Sequence, residues 1–204
     1  MQFKYLKYDL YRYFYHGRNP QEVGLLAKLK LIILTQGIWA TVVYRFSRWV
    51  LFECRQRWLR FLLRPLLPFI GLFIEMTTGI KIWTAADIGP GLYIGHFGNV
   101  LIGPIKIGKF CNVSQEISIG FAGRGAQYGA PEVGDFVYVG AGAKVIGKIR
   151  IGNHVAIGAN AVVTRDIPDD AVVAGIPAKV ISMKSSRDLI LLSPEKFGEF
   201  LPES

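Results

Sequence analysis

The sequence is sparing with residues that cross-link, ligate or span. It has two cysteines, Cys54 and Cys111, each among apolar neighbours. They make no disulfide framework and no zinc-type spacing, which points to a reducing compartment. Its three histidines, His16, His96 and His154, are too scattered for a grouped metal site, so no metal is expected. The apolar stretch Leu66–Ile74 is nine residues long, flanked or interrupted by Arg64, Pro65, Pro68 and Glu75. That is too short to cross a bilayer. Met1–Leu10 carries Lys4, Lys7 and Asp9 with no following apolar stretch of the signal-peptide kind. The expectation is a cytoplasmic protein, with the inner face of a membrane as the alternative. The net charge of +9 is dispersed, not set in one stripe with stacking aromatics. This argues against nucleic acid and leaves a phosphorylated small ligand or an anionic membrane surface.

What the chain has in quantity is a six-residue beat. From Val133 an aliphatic residue recurs at Val139, Val145, Ile151, Ile157 and Val163, and glycine follows it at Gly134, Gly140, Gly152 and Gly158. The beat runs earlier at Ile82, Ile88 and Ile94, then at Leu101, Ile107, Val113 and Ile119. A hexapeptide period is the signature of a parallel β-helix, each unit making one side of a triangular coil. The aliphatic residue points inward, and the small residue after it lets the chain turn. The step from Ile94 to Leu101 is seven, which places a bulge beside His96. The step from Ile119 to Val133 is fourteen, so Phe121–Ala130 leaves the coil as a glycine-rich loop.

The expected organisation is an α-helical N-terminal domain over 1–78, a β-helix over 79–182 and a C-terminal tail over 183–204. Tyr5 to Tyr15 is aromatic-rich around Asp9 and Arg12, and Gly17 and Pro20 break it. Leu25 to about Phe52 and Trp58 to Met76 follow with helical spacing. The last of these reads as a buried or oligomer-facing helix, or as a membrane-surface helix beside Arg55, Arg57, Arg60 and Arg64. Ser193–Lys196 looks like the start of a short C-terminal helix.

Several motifs resemble the hexapeptide acyltransferases, and within them the serine acetyltransferase type. Asp87-Ile88-Gly89-Pro90 followed by His96-Phe97-Gly98 is similar to that family's Asp-Ile-x-Pro…His-x-x-Gly segment. Val139–Val145 followed by Gly147 resembles its cofactor-side coils, and Ala174-Gly175-Ile176-Pro177-Ala178-Lys179 its terminal Ala-Gly-x-Pro-Ala-Lys/Arg. Gly37-Ile38, Ala40, Tyr44 and Arg45 resemble its helical run. The resemblance implies a left-handed β-helix, acetyl-CoA as donor and an alcohol as acceptor. It also implies a homotrimer, with a dimer of trimers as the larger alternative, in which His96 faces the neighbour's Lys179-bearing coil. A hydroxyl needs a base within hydrogen-bond reach, and histidine is tuned for neutral pH. His96 is the candidate base and Asp87 the acid that orients it. Ala141, Gly142, Ala159, Gly175, Pro177 and Lys179 are the candidate cofactor contacts, with Lys179 on a phosphate. His16 and His154 read as structural or solvated. No cysteine is well placed for an acyl-enzyme, which favours direct transfer.

The serine-specific marks of that family are absent. Where it carries Arg-Asp-Pro, this chain reads Arg18-Asn19-Pro20, and where its loop carries Arg-His-Pro, this chain reads Gly129-Ala130-Pro131. A small zwitterion needs both charges matched. The leading expectation is therefore an O-acetyltransferase acting on a saccharide hydroxyl of capsule, exopolysaccharide or O-antigen, with Asn19, Arg124, Gln127 and Tyr128 as candidate acceptor contacts. The alternatives are a serine O-acetyltransferase of cysteine biosynthesis and a non-catalytic β-helix scaffold.

Overall fold

The structure is a computed structural model that describes residues 1–15 and 23–190, apart from the side chain of Gln127. Asn19, His16 and the expected helix from Ser193 lie outside the described residues.

From Ile80 the chain winds into a left-handed parallel β-helix of about five turns. Its three sides are parallel sheets. The first stacks β1 (Ile80–Ile82), β4 (Val100–Ile102), β7 (Ser118–Gly120), β10 (Lys144–Ile146) and β13 (Val162–Val163). The second stacks β2 (Asp87–Ile88), β5 (Lys106–Ile107), β8 (Glu132–Val133) and β11 (Arg150–Ile151). The third stacks β3 (Tyr93–Ile94), β6 (Asn112–Val113), β9 (Tyr138–Val139), β12 (Ala156–Ile157) and β14 (Val172–Ala174). A final strand, β15 (Lys179–Ser182), turns back antiparallel onto β14 and covers that sheet edge.

The beat residues line the interior. Ile88, Ile94, Ile107, Val113, Ile119, Val139, Val145, Ile151, Ile157 and Val163 are all buried. A second inward column sits two residues before each beat: Ala86, Leu92, Cys111, Ile117, Val137, Ala143, Val155 and Ala161. Each fully buried aliphatic side chain contributes about 1.5–3 kcal/mol. The corners turn three residues after the beat, not one. Phe110, Glu116, Phe136, His154 and Asn160 all take positive φ there. The glycine directly after the beat serves stacking instead. At Gly108 a Cβ would stand 2.5 Å from Gly134 O of the next coil, and at Gly140 it would stand 2.7 Å from Ile157 O.

One beat residue is placed differently from the sequence expectation. Leu101 is 42% exposed, and Val100 and Ile102 on either side of it are buried. Side chains alternate along a strand, so the inward place in the three-residue β4 falls to Ile102, which pairs with Ile82 and Ile119. The extra length therefore lies between Ile94 and Ile102.

The helices close the open first coil. They are α1 (Gln2–Phe14), α2 (Leu25–Leu34), α3 (Gln36–Arg48), α4 (Arg57–Leu63) and α5 (Leu67–Thr78). The segment expected as one helix from Leu25 to about Phe52 is broken at Thr35, whose backbone is extended, and the two parts meet at 85°. A π-helical turn, Trp49–Glu53, ends the second part. Among the described residues no single helix is long and apolar enough to cross a membrane.

The joint between helices and coil is polar and buried. Arg45 donates to Asp9 at 2.7 Å and to the carbonyls of Ile88 and Gly89 at 2.7 and 2.6 Å. Asp9 accepts from the N–H of Leu92 at 2.8 Å. Arg12 donates to Gly91 O and to Asn112 Oδ1. Tyr44 Oη donates to Ala86 O, and Tyr13 Oη accepts from the N–H of Ile94. These groups satisfy backbone atoms at the end of the coil that has no further turn to pair with.

Candidate active site

His96 is exposed, in the turn between β3 on the third side and β4 on the first. Two contacts fix that turn. Gly98 N–H donates to Thr78 O, and Val100 N–H donates to Gly79 O. From the other flank α3 presses on Ile94: a Cβ on Gly37 would lie 2.5 Å from Ile94 O and 2.8 Å from Tyr13 Oη. The helical part thus helps set the strand that delivers His96. Among the described residues His96 has no hydrogen-bond partner, so its imidazole is free for an incoming group.

Below His96, the corner between the third and first sides continues coil by coil. Glu116 N–H donates to Gly98 O, Gly142 N–H to Gln115 O, and Asn160 N–H to Ala141 O. Val162 N–H donates to Gly175 O at the last coil. This ladder strings His96, Ala141, Gly142, Ala159 and Gly175 along one edge of the prism. Pro177 follows in the turn that leads into β15 and Lys179 opens that strand, both exposed. Four strand spacings of ~4.8 Å give about 19 Å from the His96 turn to the Gly175 turn. At Gly140–Ala143, Gly158–Ala159 and Gly175 the edge carries only small side chains, so an extended ligand arm there meets backbone and methyl groups rather than bulk.

Two residues on this edge lie outside the sequence expectation. Glu116 is an exposed carboxylate in the turn hydrogen-bonded directly to that of His96. Gln115 beside it has a buried Oε1 with no hydrogen-bond partner. Counting three residues on from Val113, as Gly142 follows Val139, locates Glu116 from sequence alone.

Asp87 does not join His96. It opens β2 on the second side, whereas His96 follows the third, and its carboxylate is held by Arg48 at 2.8 Å. The orienting-acid assignment is thus corrected by the three-sided geometry, which turns the two side chains to different parts of the prism. Arg124 and Tyr128 are brought together with each other but not with His96. Their loop leaves the coil between β7 and β8, at the corner between first and second sides. The Ala122–Gly129 bridge closes its neck, and Tyr128 packs on Phe121 with ring centroids 5.6 Å apart. The backbone of Gln127 lies in the same loop, in a 3-10 turn with Gly125.

The remaining histidine and the buried thiol are structural. His154 stacks on Phe136 at 4.8 Å in a different corner. Burial pushes the Cys111 thiol up to about 12, so it carries no thiolate at neutral pH. Among the described residues no group of three or more His, Cys, Asp or Glu side chains could hold a metal ion.

Comparison with known proteins matches the bacterial transferase hexapeptide (six repeats) family to residues 130–165. A serine acetyltransferase of Helicobacter pylori is 37% identical over 156 residues, 76% of this chain and 86% of that protein. One from Synechococcus elongatus is 36% identical over 155 residues, 75% of this chain. The match spans 60% of the Synechococcus protein's length, less than two thirds. A solved serine acetyltransferase in complex with CoA superposes with a TM-score of 0.69 at 25% identity, over 88% of this chain and 69% of that one.

Proposed function

Because the chain belongs to the hexapeptide-repeat acyltransferases of the serine acetyltransferase-like type, we propose that it is an O-acetyltransferase taking acetyl from acetyl-CoA, with His96 as the base. The observation that carries this reading is the single edge on which the free imidazole of His96 and the small-residue turns at Ala141–Gly142, Ala159 and Gly175 follow one another. Acetyl-CoA supplies the activated acyl group. The chain's part is to hold it along that edge, with Lys179 toward phosphate, and to remove the acceptor's hydroxyl proton at the imidazole. With Asp87 engaged by Arg48, the imidazole takes its orientation from the turn that carries it.

For the acceptor, the relatives are named serine acetyltransferases and lend no support to a saccharide, so L-serine becomes the leading substrate. Two exposed charges suit it: Glu116 for the ammonium and Arg124 for the carboxylate. Arg124 sits at another corner of the same chain, so the pairing needs a neighbouring copy, in keeping with a trimer. A saccharide hydroxyl is the second reading. Its support is the neutral Asn19 in Arg18-Asn19-Pro20, the uncharged Gly129-Ala130-Pro131, and a loop, Phe121–Pro131, that holds Arg124 as its one charged residue.

The test is release of CoA thiol from acetyl-CoA with L-serine and, in parallel, with neutral sugars. Saturable turnover of L-serine that disappears in His96→Ala supports the first reading. Turnover of sugar alone, with serine inert, replaces it with the second. A folded protein that neither binds CoA nor turns over any acceptor is the scaffold.

A further inference from the structure

The outer edge of α4 and α5 is apolar, basic and uncovered. α4 has no buried residue, and α5 buries only Leu67, Ile74 and Thr78. Its other face carries Phe69, Leu72, Phe73 and Met76, spaced as one stripe along the helix and 54–77% exposed. On α4, Trp58, Phe61 and Leu62 are likewise exposed, Phe61 by 83%. This is not the outer face of a buried helix, nor a scatter of single exposed residues.

Charge identifies what covers it. Arg57, Arg60 and Arg64 line one shallow concavity with Phe61, Leu62 and Pro65. Arg55 stands beside them, and among the described residues none of the four has an ion-pair partner. From Leu25 to the end of α5 at Thr78 there are eight Lys and Arg and two acids: Glu53, bound to the N-terminal amine at 2.8 Å, and Glu75, bound to Lys81 at 2.9 Å. A second copy of this face would bring arginine against arginine, with both nearby carboxylates, Glu53 and Glu75, already held by other cations. A surface of phosphates with an apolar layer beneath matches both halves of the patch.

We propose that the α4–α5 edge rests on the surface of an anionic phospholipid bilayer. The arginines lie on headgroup phosphates and the aromatic stripe enters the acyl boundary to a depth of about 5–10 Å. The edge lies on the membrane and does not cross it: α5 has 12 residues, about 18 Å of helix against ~30 Å of hydrocarbon. The proposal is independent of which hydroxyl is acetylated.

The experiment is flotation of the full-length chain with vesicles of phosphatidylcholine, alone or mixed with phosphatidylglycerol. Binding is expected only with phosphatidylglycerol and should weaken as salt rises. The triple variant Arg57→Glu, Arg60→Glu, Arg64→Glu should bind at least ~10-fold more weakly, and Phe69→Ser with Phe73→Ser should also lose binding. Circular dichroism and CoA-release activity check that each variant is folded, and Arg60→Glu alone serves if the triple does not fold. Absence of binding to anionic vesicles at low salt overturns the proposal. So does undiminished binding by the folded variants. A fall in particle mass on mutating the patch, with vesicle binding unchanged, overturns it in favour of a second copy.

Discussion

Inside the coil, the column from Ile88 to Val173 is aliphatic, and backbone pairing between coils is continuous. At the joint with the helices, the largest fully buried side chain is a charged one, Arg45, against an equally buried Asp9. The coil repeats one solution, and every turn satisfies the next. Its first turn has no predecessor, so Ile88, Gly89, Gly91 and Leu92 take partners from Arg45, Arg12 and Asp9 instead. The joint is therefore where stability depends on a few named polar atoms, and it lies beside the strand that carries His96. The proposed chemistry lies on the coil edge, and the joint braces the strand that leads to it.

Removing chemistry without removing structure separates the two regions most sharply. His96→Ala should lower kcat/KM by about 10²–10⁴-fold while leaving the denaturation midpoint unchanged, because the side chain is exposed. Arg45→Met should do the reverse in kind. It strands Asp9 in the joint and should cost about 3–5 kcal/mol in urea denaturation. Its catalytic loss in the folded fraction should be smaller than that of His96→Ala. Within the coil, Gly108→Ala drives a Cβ onto Gly134 O and should cost about 1–3 kcal/mol. Gly120→Ala, with open space at its Cβ, should stay within about 0.5 kcal/mol. The smallest effect belongs to Asp87→Asn. It loses an exposed ion pair with Arg48 worth less than about 1 kcal/mol and leaves kcat/KM close to wild type. A loss of two orders in that variant would restore Asp87 as the orienting acid.

The period of six made the coil legible, because one aliphatic residue per side is a demand of the geometry and not of any partner. It put each turn at the residue directly after the beat, whereas the backbone turns three residues after it. It misled at Leu101, where Leu101 and Ile102 both fit an aliphatic pattern and only strand alternation decides which turns in. The helix break at Thr35 was hidden because apolar spacing continues through it; the break is where Gly37 can meet Ile94. Asp87's partner, Arg48, stands 39 residues away on a helix, and no local pattern announces such a pair. The acceptor was least legible of all. Arg124 and His96 occupy different corners of one chain, so the pairing proposed for them requires a neighbouring copy, which no single sequence displays.

One edge of the prism is proposed to hold the thioester donor beside His96. A structure of the protein with CoA bound tests it most directly. The thiol should lie at the His96 imidazole, with the arm running past Ala141 and Ala159 toward Lys179. CoA seated in the groove of the second side, among Asp87, Lys106, Glu132 and Arg150, would contradict it.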